Sequence, residues 1–120
     1  MKVVLIVAGI IHALFMIAEL FPWGIPALLG IVTKSLPDDQ AFQPKQQKLV
    51  ATIVHNAGIY NGILAGGMFW AAAVGGPPAT ELARVMFCGA LAAGVFGAVT
   101  LKSVVPAVQA AAGLAGLFFL

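Results

Sequence analysis

Polar side chains are sparse along this chain, and the apolar runs between them set its elements. From residue 2 to residue 21 only His12 and Glu19 break an apolar stretch, and Pro22-Trp23-Gly24 then stops it. About 20 mostly apolar residues are enough for a helix to cross a bilayer, so residues 2–21 are expected as a first span. The run is too long for a cleaved leader and no small-x-small site follows it, so it is expected to be retained. The polar material collects next, in a loop over 24–47 that carries Lys34, Asp38, Asp39 and Lys45. Within that loop residues 25–36 are apolar enough to form a short helix lying in the membrane interface. A second span is expected over 48–74, ended by Gly75-Gly76-Pro77-Pro78. Thr80 is a good N-cap with Glu81 in the first turn, which places a third span over 80–101. Lys102-Ser103 connects it to a fourth over 103–120, with Ser103 as cap and Pro106 in the first turn. The pattern predicts an all-α, integral membrane four-helix bundle in one domain over residues 1–120.

Composition sharpens this. The chain is 62% hydrophobic and 8% charged, with a mean hydropathy of +1.06, against roughly 25% charged residues in a soluble domain. A soluble enzyme is excluded. Six cations and four anions make no phosphate-tracking surface, which excludes nucleic acid as a partner. The lone cysteine, Cys88, excludes a disulfide scaffold. Four spans put both chain ends on one side of the membrane. Lys34, Lys45, Lys48 and Lys102 then fall on the loop side, against Lys2 and Arg84 on the other, so the long loop leans toward the cytoplasm.

Small residues recur where helices would meet. Gly58, Gly62 and Gly66 are spaced by four, as are Gly89, Ala93 and Gly97, and Ala110, Ala112, Gly113 and Gly116 line the fourth span. Such ladders let backbones approach closely. They read either as contacts inside one bundle or as a homo-oligomer seam. Met68, Phe69 and Trp70 fall near the boundary away from the long loop, where aromatic anchors belong.

Ionisable and amide groups inside hydrocarbon are costly, and each is a site hypothesis. Counted along the helices, Glu19, His12, His55, Asn56, Tyr60, Asn61, Thr100 and Gln109 all fall in the half of the membrane near the long loop. His12 and Glu19 are seven residues apart and share a face to within about 20°. This predicts a polar pocket open on one side. His12 and Glu19 are the candidate acid–base pair, and His55, Asn56, Tyr60, Asn61, Thr100 and Gln109 are candidate ligand contacts. The plainer alternatives are interhelical hydrogen bonding for His12 and the amides, and snorkelling or pairing with Lys102 or Lys45 for Glu19. His12, Glu19 and His55 lack a recognised metal spacing, so no metal is expected, and no cofactor can be named.

The run His55-Asn56-Ala57-Gly58-Ile59-Tyr60-Asn61-Gly62, after His12 and Glu19, resembles the small bacterial four-span membrane proteins of domain-of-unknown-function family 1304. That family typically carries an Asn-Gln-Gly-x-Tyr-Asn-Gly run on its second helix, matched here by Asn56, Gly58, Tyr60, Asn61 and Gly62. Gly97, Thr100 and Lys102 match its third helix, and Gln109 its fourth. Ala57 stands where the family prefers Gln and Phe96 where it prefers Tyr, and Ala110-Ala111-Ala112-Gly113 replaces a Gly-x-Pro-Ala. The resemblance implies a four-span fold in a bacterial cytoplasmic membrane and a less hydrophilic pocket, and brings no activity. The expected function is binding of a small or amphipathic ligand, with acid–base chemistry on a lipophilic substrate as its extension. By analogy with the small multidrug resistance transporters, of about this length and with a first-helix Glu, one alternative is a dimeric proton-coupled exporter. A second is a non-enzymatic membrane subunit or assembly factor.

Overall fold

The computed structural model describes residues 1–21, 26, 30 and 44–120. Among these residues four helices are described in order: α1 (Lys2–Leu20), α2 (Pro44–Val74), α3 (Gly76–Leu101) and α4 (Val105–Phe118). The interfacial helix expected over 25–36 lies outside the described residues apart from 26 and 30.

Each boundary has a local cause. Phe21 is extended, at φ −95° and ψ 140°, because the residue before a proline is pushed out of the helical region. Its N–H still closes the last turn on the Ile17 carbonyl. α2 and α3 are separated by Gly75 alone. Gly75 and Gly76 take φ of 69° and 73°, a region open to glycine without penalty. The chain therefore reverses at once, with prolines in a first turn that needs no N–H partners. This corrects the expected N-cap at Thr80. Thr80 is inside α3, where its hydroxyl donates to the Gly76 carbonyl at 3.4 Å. α3 ends at Lys102, which takes φ 46°. The Ser103 hydroxyl accepts the Val105 N–H at 3.2 Å, and Pro106 occupies the first turn of α4.

α1 packs along α2, and α3 along α4; α2 with α3 and α1 with α4 join the two pairs. Glycines mark the close contacts. A Cβ on Gly58 would meet Leu20, one on Gly62 the Met16 sulfur, and one on Gly97 the Pro106 ring. A Cβ on Gly113 would lie 2.7 Å from the Phe87 carbonyl oxygen. Most of the expected ladder positions thus serve contacts inside the bundle, whereas Gly66 faces open space. The core gathers at one end, where Leu5, Ala8, Met68, Ala71, Ala83 and Phe87 are buried. Met68 belongs to that core, while Trp70 is exposed.

At the other end the helices are unequal. α1 stops beside Gly58, but α2 reaches back to Pro44, and residues 44–57 add about 21 Å of helix beyond that level. α1, α2 over Lys48–Val74, and α3 are each long and apolar enough to cross a membrane, and only 22%, 28% and 22% of their most apolar stretches is buried. Exposed apolar area of that extent suits lipid contact. α4 is a shorter apolar helix, and its 14 residues measure about 21 Å.

Candidate functional site

The shortfall of α1 leaves a gap roofed by α2 and by the α3–α4 junction. It is a cavity of about 350 Å³, lined among others by Phe15 and Glu19 of α1, Val54 and Ala57 of α2, Leu101 of α3, and Pro106 and Gln109 of α4. Its volume is at the lower end for small-molecule sites. Among the described residues that line it, Glu19 and Gln109 are the polar members of an otherwise apolar wall.

Those two side chains are linked through a third. Gln109 Nε2 donates to Asn61 Oδ1 at 2.5 Å, and Asn61 Nδ2 donates to Glu19 Oε2 at 2.6 Å. Asn61 and Gln109 are 6% and 8% exposed and Glu19 is half-buried, and this chain of bonds ties α1, α2 and α4 together. It also has a direction. One N–H of each amide points along it toward the carboxylate, and the acceptors at its two ends are Gln109 Oε1 and Glu19 Oε1. No described residue bonds either atom. The Glu81–Arg84 ion pair lies near the start of α3, and among the described residues no cation pairs with Glu19.

The other expected site residues are elsewhere. His12 is fully buried. Its Nδ1 donates to the Ala8 carbonyl at 2.9 Å, and Nε2 has no partner among the described residues. His12 does not line the cavity that Glu19 lines. His55 and Asn56 are exposed, in a shallow groove on α2 beside Leu20 and Ile59. Since Gly58 is level with Leu20, His55 and Asn56 lie past the end of α1, shallower than counting from Lys48 places them. Tyr60 is 62% exposed. Thr100 is exposed and its hydroxyl donates to the Phe96 carbonyl at 2.8 Å. Asn56, Tyr60 and Thr100 thus make no bond to the chain formed by Glu19, Asn61 and Gln109. No group of three or more His, Cys, Asp or Glu side chains is gathered for a metal among the described residues.

Sequence reasoning missed the apolar cavity wall: Phe15, Val54, Ala57, Leu101 and Pro106 carry no chemical signal of their own. The available signal was a length mismatch, with Pro22 ending α1 early while Pro44 opens a much longer α2.

Residues 6–120 match the family described as "Protein of unknown function (DUF1304)". No curated protein and no solved structure matches the chain.

Proposed function

This chain belongs to the DUF1304 family, and we propose that it is an integral membrane protein that holds a small amphipathic ligand in the cavity at the end of α1. One observation carries the reading. Three polar side chains from three helices bond into one chain, and two of them line an apolar cavity of about 350 Å³. Interhelical glue alone would need no adjoining space. An apolar wall with a few fixed polar groups is the usual composition of a small-molecule site. The apolar wall takes a ligand's tail, and Glu19 and Gln109 take its polar group.

Because His12 is outside the cavity, acid–base work on a bound substrate would fall to Glu19 alone, oriented by Asn61. The primary role proposed is therefore binding. An exporter requires a polar route through the bundle, whereas beyond Asn61 His12 is the one buried polar side chain among the described residues and Leu5, Met68, Ala83 and Phe87 make up the core.

Filling the cavity tests the reading. Dodecanol is the probe, presented to protein in a maltoside micelle, with bound copies counted by native mass spectrometry. Wild type and Ala73→Trp, which adds bulk on an exposed part of α2, are expected to retain one dodecanol. Ala57→Trp, which places an indole in the cavity, is expected to lose it. Equal retention by Ala57→Trp would remove the cavity as the binding site.

A further inference from the structure

We infer that the cavity selects amphiphiles whose head is a primary ammonium, a cation that also donates N–H hydrogen bonds. The inference rests on the ligand-binding reading above and adds the chemical class of the ligand.

The direction of the bond chain carries it. Gln109 Nε2 donates to Asn61 and Asn61 Nδ2 donates to Glu19, so each amide spends a donor toward the carboxylate. The uncommitted oxygens at the ends, Gln109 Oε1 and Glu19 Oε1, are acceptors on residues that line the cavity. Among the described residues none of those lining the cavity is a lysine, arginine or histidine, and no cation pairs with Glu19. Its partner among the described residues is a neutral amide, which orients the carboxylate and brings no opposite charge. A ligand suited to this wall brings an apolar tail, a hydrogen-bond donor and a positive charge. Charge-assisted bonds are about twice as strong as neutral ones, and more so where water is excluded. A fatty acid would bring a second anion. A quaternary ammonium would bring charge with no N–H for the two acceptors, and an alcohol a donor with no charge. Of these heads the ammonium is the one that satisfies both demands.

The test compares dodecylammonium, dodecyltrimethylammonium, dodecanol and dodecanoate on the intact chain in a maltoside micelle, by titration with native mass spectrometry. Dodecylammonium is expected to bind about 10- to 100-fold more tightly than dodecanol, with the quaternary ion between them and dodecanoate weakest. Glu19→Gln keeps an oxygen for the Asn61 donor and removes the charge. It is expected to bring dodecylammonium down to the level of dodecanol. If that variant does not fold, the wild-type ranking decides by itself. Dodecanol matching or exceeding dodecylammonium, or a preference that survives in Glu19→Gln, overturns the ammonium class and leaves the cavity reading standing. Failure of all four probes to bind overturns both.

Discussion

Asn61 is the residue on which the site depends, because it is the one side chain that bonds to both others. Replacing it with leucine strands Gln109 and Glu19 in a poorly hydrated interior. Interhelical hydrogen bonds in membranes contribute on average about 0.6 kcal/mol, and a stranded buried polar group adds about 1–3 kcal/mol. Asn61→Leu is therefore expected to lower unfolding free energy by about 1–3 kcal/mol, measured by titration with a denaturing detergent. Gln109→Leu should cost less, since only a neutral amide loses its partner, and the double variant should cost less than the sum because the two share a bond. Additive losses would mean that the chain of bonds does not act as a unit. How much of this was legible follows from helix geometry. Counting along the chain gives height, and it put Glu19, Asn61 and Gln109 in one half of the bundle. It does not give rotation about the axis. Asn56 and Asn61 are five residues apart, about 140° around the helix, so packing can turn only one of them inward. Tyr60 is about 100° from Asn61 and is exposed for the same reason. His12 shares the inner face with Glu19 but lies two turns deeper, among groups that offer its Nε2 no partner.

Among elements, the α3–α4 pair is the most tightly specified. A Cβ on Gly94 would strike the Ala110 backbone and lie 2.8 Å from the Pro106 carbonyl oxygen. Gly94→Ala thus forces two backbones apart, and overpacking of this kind costs about 1–3 kcal/mol. Gly66→Ala serves as the contrast, since nothing is within 4 Å of the added methyl and alanine gains up to about 1 kcal/mol over glycine in a helix. Measured side by side in the same detergent titration, Gly94→Ala is expected to unfold earlier than wild type and Gly66→Ala no earlier. Equal behaviour would show that close approach at Gly94 does not hold the pair together. The glycine ladders were visible in the sequence, yet spacing by four misjudged where each one ends. Four residues advance a helix by about 40° beyond a full turn, so Gly66 has rotated about 80° from Gly58 and left the α1 contact. Gly94, off any expected ladder, carries the closest approach because α4 fixes which face of α3 it meets. The helix ends were legible wherever proline or paired glycine sets them. Thr80 misled because its capping chemistry was read without the Gly75-Gly76 reversal, which starts α3 earlier.

At the scale of the whole molecule, topology turns on α4. Its 14 helical residues span about 21 Å, below a hydrocarbon thickness of about 30 Å. Yet Gly116 packs on the Phe87 ring and Gly97 on Pro106, so α4 follows α3 over about three turns and runs back toward the end where α3 begins. A short hydrophobic helix held by its neighbour is accommodated by local thinning of the bilayer and by flanking side chains that reach outward; Lys102 is placed to do so. α4 is therefore expected to complete the crossing, which returns Leu120 to the side of Met1. That side carries Lys2 and Arg84, whereas Lys34, Lys45, Lys48 and Lys102 follow the other ends of the helices. The balance of cations predicts the loop end in the cytoplasm. Reporters active on only one side of a bacterial cytoplasmic membrane, a phosphatase for the outer face and a fluorescent protein for the inner, check this when fused before Met1 or after Leu120. Both positions are expected to activate the phosphatase, and a fluorescent protein inserted within residues 31–43 is expected to fluoresce. Opposite results at the two ends would leave three crossings and an α4 lying against the bundle without traversing it. The wall that α4 supplies to the cavity, Pro106 and Gln109, would then sit in the interface, and the ligand site would be reached from the membrane surface.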